Sequence, residues 1–302
     1  MKIFYDNPMA LVCLNRRVNP SVYLFLVIIA FLNAITVSGQ DSSVRLMSFN
    51  IRYDNPADGI NNWENRKKLV TETLLIKSPD LIGMQEVLER QLVYLGENLP
   101  DYNYSGVGRE DGKTGGEYVP VFYKKNRFAL LDNGTFWLSP TPLDTGSVGW
   151  DAALTRICTW GKFRDWSSGL EFFFLNTHFD HMGDTARVES TRLILDFIKQ
   201  ETNNLPVILT GDFNCSPKEV PYKVLTGLEA GLTDACMAAG SLEGILEGTF
   251  NGFGSEQNPE RIDMVFYNER WEVDSYEVLK IKVGEMFISD HWPVEVELKI
   301  KK

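Results

Sequence analysis

PVILTGDFN, residues 206–214, frames the reading of this chain. A short apolar run, Pro206 to Thr210, reads as a strand, and it ends abruptly in Gly211-Asp212-Phe213-Asn214, residue types that favour turns. The same layout recurs. Residues 44–50 (VRLMSFN) run into Asn50, residues 81–86 (LIGMQE) into Gln85-Glu86, and residues 171–178 (EFFFLNTH) into Asn176-Thr177-His178. Near the C-terminus stand Arg261-Ile262-Asp263 and Ser289-Asp290-His291. One polar cluster at a strand end means little. Six point to a single rim where carboxylates, amides and imidazoles converge, the usual form of an active site on an α/β frame.

Working outward, residues 65–77 carry Leu69, Val70, Thr73 and Leu74 on one helical face and stop at Ser78-Pro79-Asp80. Residues 185–200 place Ala186, Ser190, Leu193, Ile194 and Phe197 in phase, with Asp184 as the expected N-cap. Residues 119–123, 155–163, 262–267, 271–281 and 294–300 read as further strands. Strands and helices alternate early and hairpin-like pairs follow, which predicts an α/β protein with mixed sheets. No repeat or linker interrupts residues 40–302, so one domain is expected there.

The chain has 302 residues, of which 44% are hydrophobic, enough for a core that needs no disulfide or metal staple. Residues 1–39 read as a secretory signal: Arg16 and Arg17, then the apolar run 22–37, then the small-residue site Val37-Ser38-Gly39. The run is about 16 residues and contains Asn33 and Thr36, short of the roughly 20 needed to span a bilayer. Without Lys2, Arg16, Arg17 and Asp6, the 30 basic and 41 acidic residues become 27 and 40, a net of −13. That balance disfavours a general grip on nucleic acid. Cys158, Cys215 and Cys236 fit no zinc spacing and are expected as buried thiols. Of only three histidines, His178 and His291 lie in the rim clusters, while His181 has no evident role.

The ordered set SFN (48–50), MQEV (84–87), GEYVPVFYKKNRF (116–128), NTHFD (176–180), TGDFN (210–214), RIDMVFYN (261–268) and SDHWPV (289–294) resembles the endonuclease/exonuclease/phosphatase superfamily, with its deoxyribonuclease-I-like fold. The resemblance covers about residues 44–300; the segment 53–63 (YDNPADGINNW) looks like that of exported bacterial members, and Arg52 fits deadenylase-like and related phosphodiesterase branches. It implies a four-layer α/β sandwich: two mixed β-sheets packed face to face, helices outside. It also implies metal-dependent hydrolysis of a phosphoester with Mg²⁺ or Mn²⁺, a hard cation suited to carboxylate oxygens. By the same resemblance Glu86 is the central metal ligand, with Asn50 and Asp290 in support. His291 is the base that activates water, oriented by Asp263. Asp212 and Asn214 position nucleophile and phosphate, and His178 donates to a phosphate oxygen. Glu117 pairs with His178, and Arg156 is a substrate contact. Trp63, Trp150 and Tyr53 stand near the rim, either packed or open to stack on a substrate. Arg52 stands where some nuclease branches carry an acid, against a second carboxylate-rich metal site.

Within this class three substrates compete: a small or sugar-linked phosphoester, a nucleic acid, and a phospholipid head group such as sphingomyelin. Net charge favours the first, and no long apolar hairpin suggests membrane insertion. A binding module without catalysis is disfavoured by the intact residue set. A glycoside hydrolase using Glu117 and Asp212 leaves the histidines unexplained.

Overall fold

The computed structural model describes residues 43–240, 248–255 and 260–301; the signal expected at 1–39 lies outside them. One six-stranded sheet runs β11 (Trp271–Val278), β14 (Val294–Ile300), β1 (Ser43–Asn50), β2 (Leu81–Gln85), β4 (Val121–Lys124), β3 (Tyr102–Ser105). The other runs β5 (Phe128–Trp137), β6 (Ile157–Asp165), β7 (Glu171–His178), β8 (Val207–Asp212), β10 (Asp263–Asn268), β9 (Leu232–Asp234). A small ribbon pairs β12 (Lys282–Val283) with β13 (Met286–Phe287). The helices are α1 (Trp63–Lys77), α2 (Glu89–Asn98), α3 (Asp184–Glu201), α4 (Val220–Leu225) and α5 (Ala235–Ala239). Both large sheets are mixed: β1 is parallel to β2 and β7 to β8, while their other pairings are antiparallel.

The two-residue period of a strand explains the layering. In β1, Val44 and Leu46 enter the core between the sheets with Phe172, Phe174, Ile208, Val265 and Val296. Met47 and Phe49 turn the other way, onto Val70 and Leu74 of α1 and Leu92 and Leu95 of α2. In β7 and β8, Phe173, Leu175 and Leu209 pack against Ile194 of α3 and Leu225 of α4. Strands buried on both faces must be apolar throughout, hence their legible runs.

Between the sheets runs a short polar seam. Asn176 donates to the carbonyls of Met84 (2.6 Å) and Pro120 (3.1 Å) and accepts from Gln85 Nε2 (2.6 Å) and Thr210 Oγ1 (3.1 Å). So Asn176 and Gln85, grouped with the rim by sequence, tie one sheet to the other. Gly83 permits this approach: a Cβ there would lie 2.2 Å from Thr210 Oγ1 and 2.6 Å from Asn176 Oδ1. Gly83→Ala is therefore expected to cost about 1–3 kcal/mol by overpacking, read as a lowered thermal midpoint. An unchanged midpoint would mean that the sheets part freely here.

Several expectations are corrected. Gly183, not Asp184, is the N-cap of α3; Asp184 is its first residue. The amide of Ala186 is instead satisfied by Asp151 Oδ1 (2.6 Å), thirty-five residues away. The strand expected at 119–123 spans Val121–Lys124, and that expected at 155–163 spans Ile157–Asp165. Strand β5, helix α2 and strand β3 were not anticipated. β5 is an edge strand whose middle residues Leu131, Asp132 and Asn133 are exposed, with a bulge between Leu130 and Asp132, so it lacks an apolar alternation. Cys158, Cys215 and Cys236 are buried, and none forms a disulfide. Among the described residues, no helix is long and apolar enough to cross a membrane.

Candidate active site

The pairings bring the polar strand ends together. His178 stands opposite Asp212 in the β7–β8 register, and Asp263 opposite Asp212 in β8–β10. Asn50 closes β1 beside Gln85, and Glu86 follows directly. His291 enters on the segment before β14, bridged to Phe250, whose ring meets the imidazole edge-on at 5.0 Å between centroids. Arg52, Glu86 and Asn214 all take positive φ, at 58°, 60° and 46°, uncommon for residues with a Cβ. Such backbone strain just beyond β1, β2 and β8 marks the rim as over-determined by its surroundings.

Asn50 is the hub. Its Nδ2 donates to Asp212 Oδ2 (2.9 Å) and Glu86 Oε1 (3.1 Å) and lies 3.5 Å from His291 Nε2. Its Oδ1 accepts the Arg52 amide at 3.0 Å. Asn50 thus presents nitrogen, not oxygen, to the carboxylates, and it can ligate a metal only through an oxygen already engaged. Glu86 Oε2 accepts the Tyr53 amide (3.0 Å). Glu86, Asp212 and His291 each offer an atom within 4.8 Å of the others. Two carboxylates in that set suit a hard divalent cation. Asp290, expected as a ligand, stands one step removed, with Arg52 Nη1 3.6 Å from its Oδ2 and 3.9 Å from Glu86 Oε2. Arg52 is itself anchored on Asp58 through Nε (3.1 Å) and Nη2 (3.3 Å).

His291 Nδ1 lies 2.8 Å from Asp263 Oδ2, both buried, and its Nε2 faces Asp212 Oδ2 at 3.8 Å. In the neutral ring Asp263 holds the proton on Nδ1, so that Nε2 presents its lone pair to the site only once its own proton has left. Burial would lower the imidazole pKa, but Asp263, Asp212 and Asp290 together raise it well above the usual value. His178 shows the opposite: burial, then Arg156 and Arg109, hold it well below, as a neutral ring. Burial alone would raise Glu86, yet His291 and the Tyr53 and Asn50 hydrogen bonds leave it lowered.

Asp212 is pushed up to about 7, by burial first and then by Asp263. Its ionisation therefore works against the metal-free fold: stability is lost as pH rises from the unfolded value of 3.8 through about 7. A cation takes the carboxylate form and releases the proton. Mn²⁺ affinity is accordingly expected to rise with pH from about 5 through about 7, with protons released on binding, as calorimetry in two buffers measures. An affinity that is flat over this range would contradict the assignment.

Asn214 fastens the rim: its Nδ2 donates to the Phe179 carbonyl (2.9 Å) and its amide to Asp212 Oδ1 (3.0 Å). Glu117, expected to pair with His178, lies 4.0 Å from His178 Nδ1 and also accepts both arms of Arg109, at 2.8 and 3.0 Å. Arg156 is buried, with Nη2 3.2 Å from His181 Nδ1 and Nε 3.5 Å from Asp180 Oδ2, which gives His181 a partner. Trp63 is core, buried against Tyr94 and Arg66. Tyr53 is half-buried beneath Arg52, and Trp150 is exposed. Arg109 was missed by sequence reasoning. The glycines at 108, 112, 115 and 116 signal a tight hairpin, but nothing in them says that its two arms place Arg109 on Glu117.

A two-sheet sandwich whose edge gathers a His–Asp pair, a neutral second histidine and hard carboxylates defines a phosphoester hydrolase. Residues 47–291 match the Endonuclease/Exonuclease/phosphatase family, and the chain belongs to it. Its members hydrolyse phosphoesters and depend on a divalent metal. A family structure from Bacteroides vulgatus is 41% identical, with TM-score 0.82 over 86% of this chain and 99% of that one. A mannosyl-6-phosphatase from Bacteroides thetaiotaomicron is 38% identical, with TM-score 0.78 over 84% of this chain and 99% of that one. Mouse nocturnin is 27% identical over 221 residues, 66% of this chain and 49% of nocturnin, so the chain spans about half of that relative's length.

Proposed function

We propose that the chain, exported after loss of residues 1–39, is a Mg²⁺- or Mn²⁺-dependent phosphatase of a small, sugar-linked phosphoester. The observation that carries the chemistry is the buried His291–Asp263 pair, 2.8 Å apart, facing Asp212 and Asn50. The sugar reading is supported by similarity to the mannosyl-6-phosphatase and by a net charge of −13 from Gln40 onward, which repels a polyanion.

Glu86 and Asp212 would hold the cation, which supplies charge to offset the phosphoryl oxygens. His291 Nε2 takes a proton from water as the water oxygen bonds to phosphorus. Asp263 stabilises the imidazolium that forms. Asn50 keeps Glu86 and Asp212 in place through its two donated hydrogen bonds. His178, neutral and buried, donates to a phosphate oxygen. The P–O bond to the sugar breaks, its oxygen takes a proton from solvent while His291 returns to solvent the one it took, and inorganic phosphate and the free sugar result.

The test is phosphate release from mannose 6-phosphate against single-stranded DNA, sphingomyelin and an inositol phosphate, with Mg²⁺ and with EDTA. Hydrolysis of the sugar phosphate alone, abolished by EDTA, is expected. Faster hydrolysis of DNA or sphingomyelin would overturn the sugar reading. N-terminal sequencing of the protein outside the cytoplasm is expected to begin at Gln40.

A further inference from the structure

The two halves of the His291–Asp263 pair come from different sheets. Asp263 is the first residue of β10 in one sheet, and His291 enters on the segment before β14 of the other. The core between the sheets is apolar, and apolar burial has no direction that could hold Nδ1 and Oδ2 at 2.8 Å. Residues 249–252 (TFNG), which belong to none of the rim motifs, bond to both halves. Thr249 is wholly buried, at 0% exposure. Its Oγ1 accepts the amides of Asp263 (3.0 Å) and Ile262 (3.1 Å), and its own amide donates to the Glu260 carbonyl (2.9 Å). Toward the other sheet, its carbonyl accepts the Trp292 amide (2.8 Å). Phe250 bridges His291, ring against ring. The amides of Asn251 (2.7 Å) and Gly252 (3.1 Å) donate to the Asp290 carbonyl, and Asn251 Nδ2 donates to that of Ser289 (3.2 Å).

A proton-transfer pair works while its atoms stay within about 0.5 Å of the productive geometry, and directional hydrogen bonds from the surrounding shell supply that precision. Here one stretch of four residues supplies bonds to both sides. We infer that residues 249–252 are a splint that sets the separation of His291 and Asp263 across the two sheets, and that Thr249, which grips both sides within one residue, is its positioning residue. Its side chain acts on Asp263 through the backbone: the hydroxyl holds the amides that begin β10, so the carboxylate starts from a fixed place. Glu86 and Asp212 are held separately, by Asn50. The effect of the splint on rate rests on the hydrolase reading of the site; its effect on the His291–Asp263 hydrogen bond does not.

Thr249→Val keeps the branched shape and removes the acceptor, while Thr249→Ser keeps the acceptor. Both are compared with the unaltered full chain in kcat and KM for p-nitrophenyl phosphate with Mg²⁺, in thermal midpoint and in Mn²⁺ affinity. A further readout needs no activity: the far-downfield proton resonance of the His291 Nδ1–H, identified by its loss in His291→Ala. Thr249→Val is expected to lower kcat about 10- to 100-fold, with KM and Mn²⁺ affinity changed less than about 3-fold. It should also move the resonance upfield or erase it by exchange with water. Thr249→Ser should bring kcat back to within about 5-fold of the unaltered protein and restore the resonance. A Thr249→Val protein with a lowered midpoint, but with the resonance in place and kcat per folded molecule unchanged, overturns the inference, because Thr249 then only stabilises the fold. A raised KM at constant kcat overturns it, as does a Mn²⁺ affinity that falls in step with kcat. So does absence of the resonance from the unaltered protein. Should Thr249→Val lose its thermal transition, Asn251→Ala, which frees Ser289 and keeps the Thr249 bonds, is expected to change kcat and the resonance the same way by a smaller factor; no change in either overturns the inference. If folded, Mg²⁺-supplied, unaltered protein hydrolyses no ester, the hydrolase reading fails, and the resonance alone decides the splint.

Discussion

His291→Ala is expected to lower kcat for phosphoester hydrolysis about 1,000-fold, close to 4 kcal/mol of barrier, with KM and the thermal midpoint little changed. Nε2 is the one imidazole nitrogen facing both Asp212 and Asn50 while its partner nitrogen is held by a carboxylate. Asp263→Asn should lose about 100-fold or more, because the amide can no longer favour the proton on Nδ1 or stabilise the imidazolium. A merely structural role for Asp263 would lower kcat through unfolding. A tautomer role instead shifts the acidic limb of the kcat–pH profile, since the aspartate is one of the groups that raise the His291 pKa. Loss of that carboxylate should move the limb to lower pH. Kinetics of His291→Ala within a factor of a few of the unaltered protein would place the base elsewhere. Asp212 could not replace it easily: its carboxyl is pushed up to about 7 by burial and by Asp263, and it is half of the carboxylate pair that would hold the cation.

What was legible in the sequence followed burial. The runs ending at Asn50, His178 and Asp212 are apolar because both strand faces are covered, so the polar residues at their ends stand out and the rim can be read from the order of residues alone. The pairs across the rim were not legible. Asn50 and Asp212 are 162 residues apart, and only the packing of one sheet on the other brings them to 2.9 Å. The same packing draws Gln85 and Asn176 away from catalysis: side chains at strand ends point to either face, and theirs point across the seam. Glu117 was legible only in part: its Oε2 lies 4.0 Å from His178 Nδ1, the partner that the resemblance implied, but a carboxylate also meets a guanidinium with both its oxygens, and the hairpin supplies Arg109, which no motif announced.

Arg66→Met is expected to cost about 3–5 kcal/mol, lowering the thermal midpoint by roughly 10 °C, and to weaken Mn²⁺ binding although Arg66 touches no carboxylate. In sequence Arg66 sits in phase with Val70 and Thr73, where an arginine normally reads as solvent-facing. It is instead wholly buried, at 0% exposure. Its Nε donates to the Asn61 carbonyl (2.8 Å), Nη1 to those of Ile51 and Ile288 (the latter at 3.3 Å), and Nη2 to that of Arg52 (2.7 Å). Burial pushes its pKa down to about 10, so it remains charged at neutral pH. One guanidinium thereby ties the segment after Asn50 to the segment before Asp290 and His291. Methionine fills much of the volume but leaves the Ile51, Ile288 and Asn61 carbonyls without this donor, and it frees Arg52 and Asp290 to drift relative to Glu86. Arg66→Lys, with three donors that cannot reach in a plane, should recover only part of the loss. A midpoint within about 1 °C of the unaltered protein, or unaltered Mn²⁺ affinity at a lowered midpoint, would separate the fold from the site and show that Arg66 does not link them.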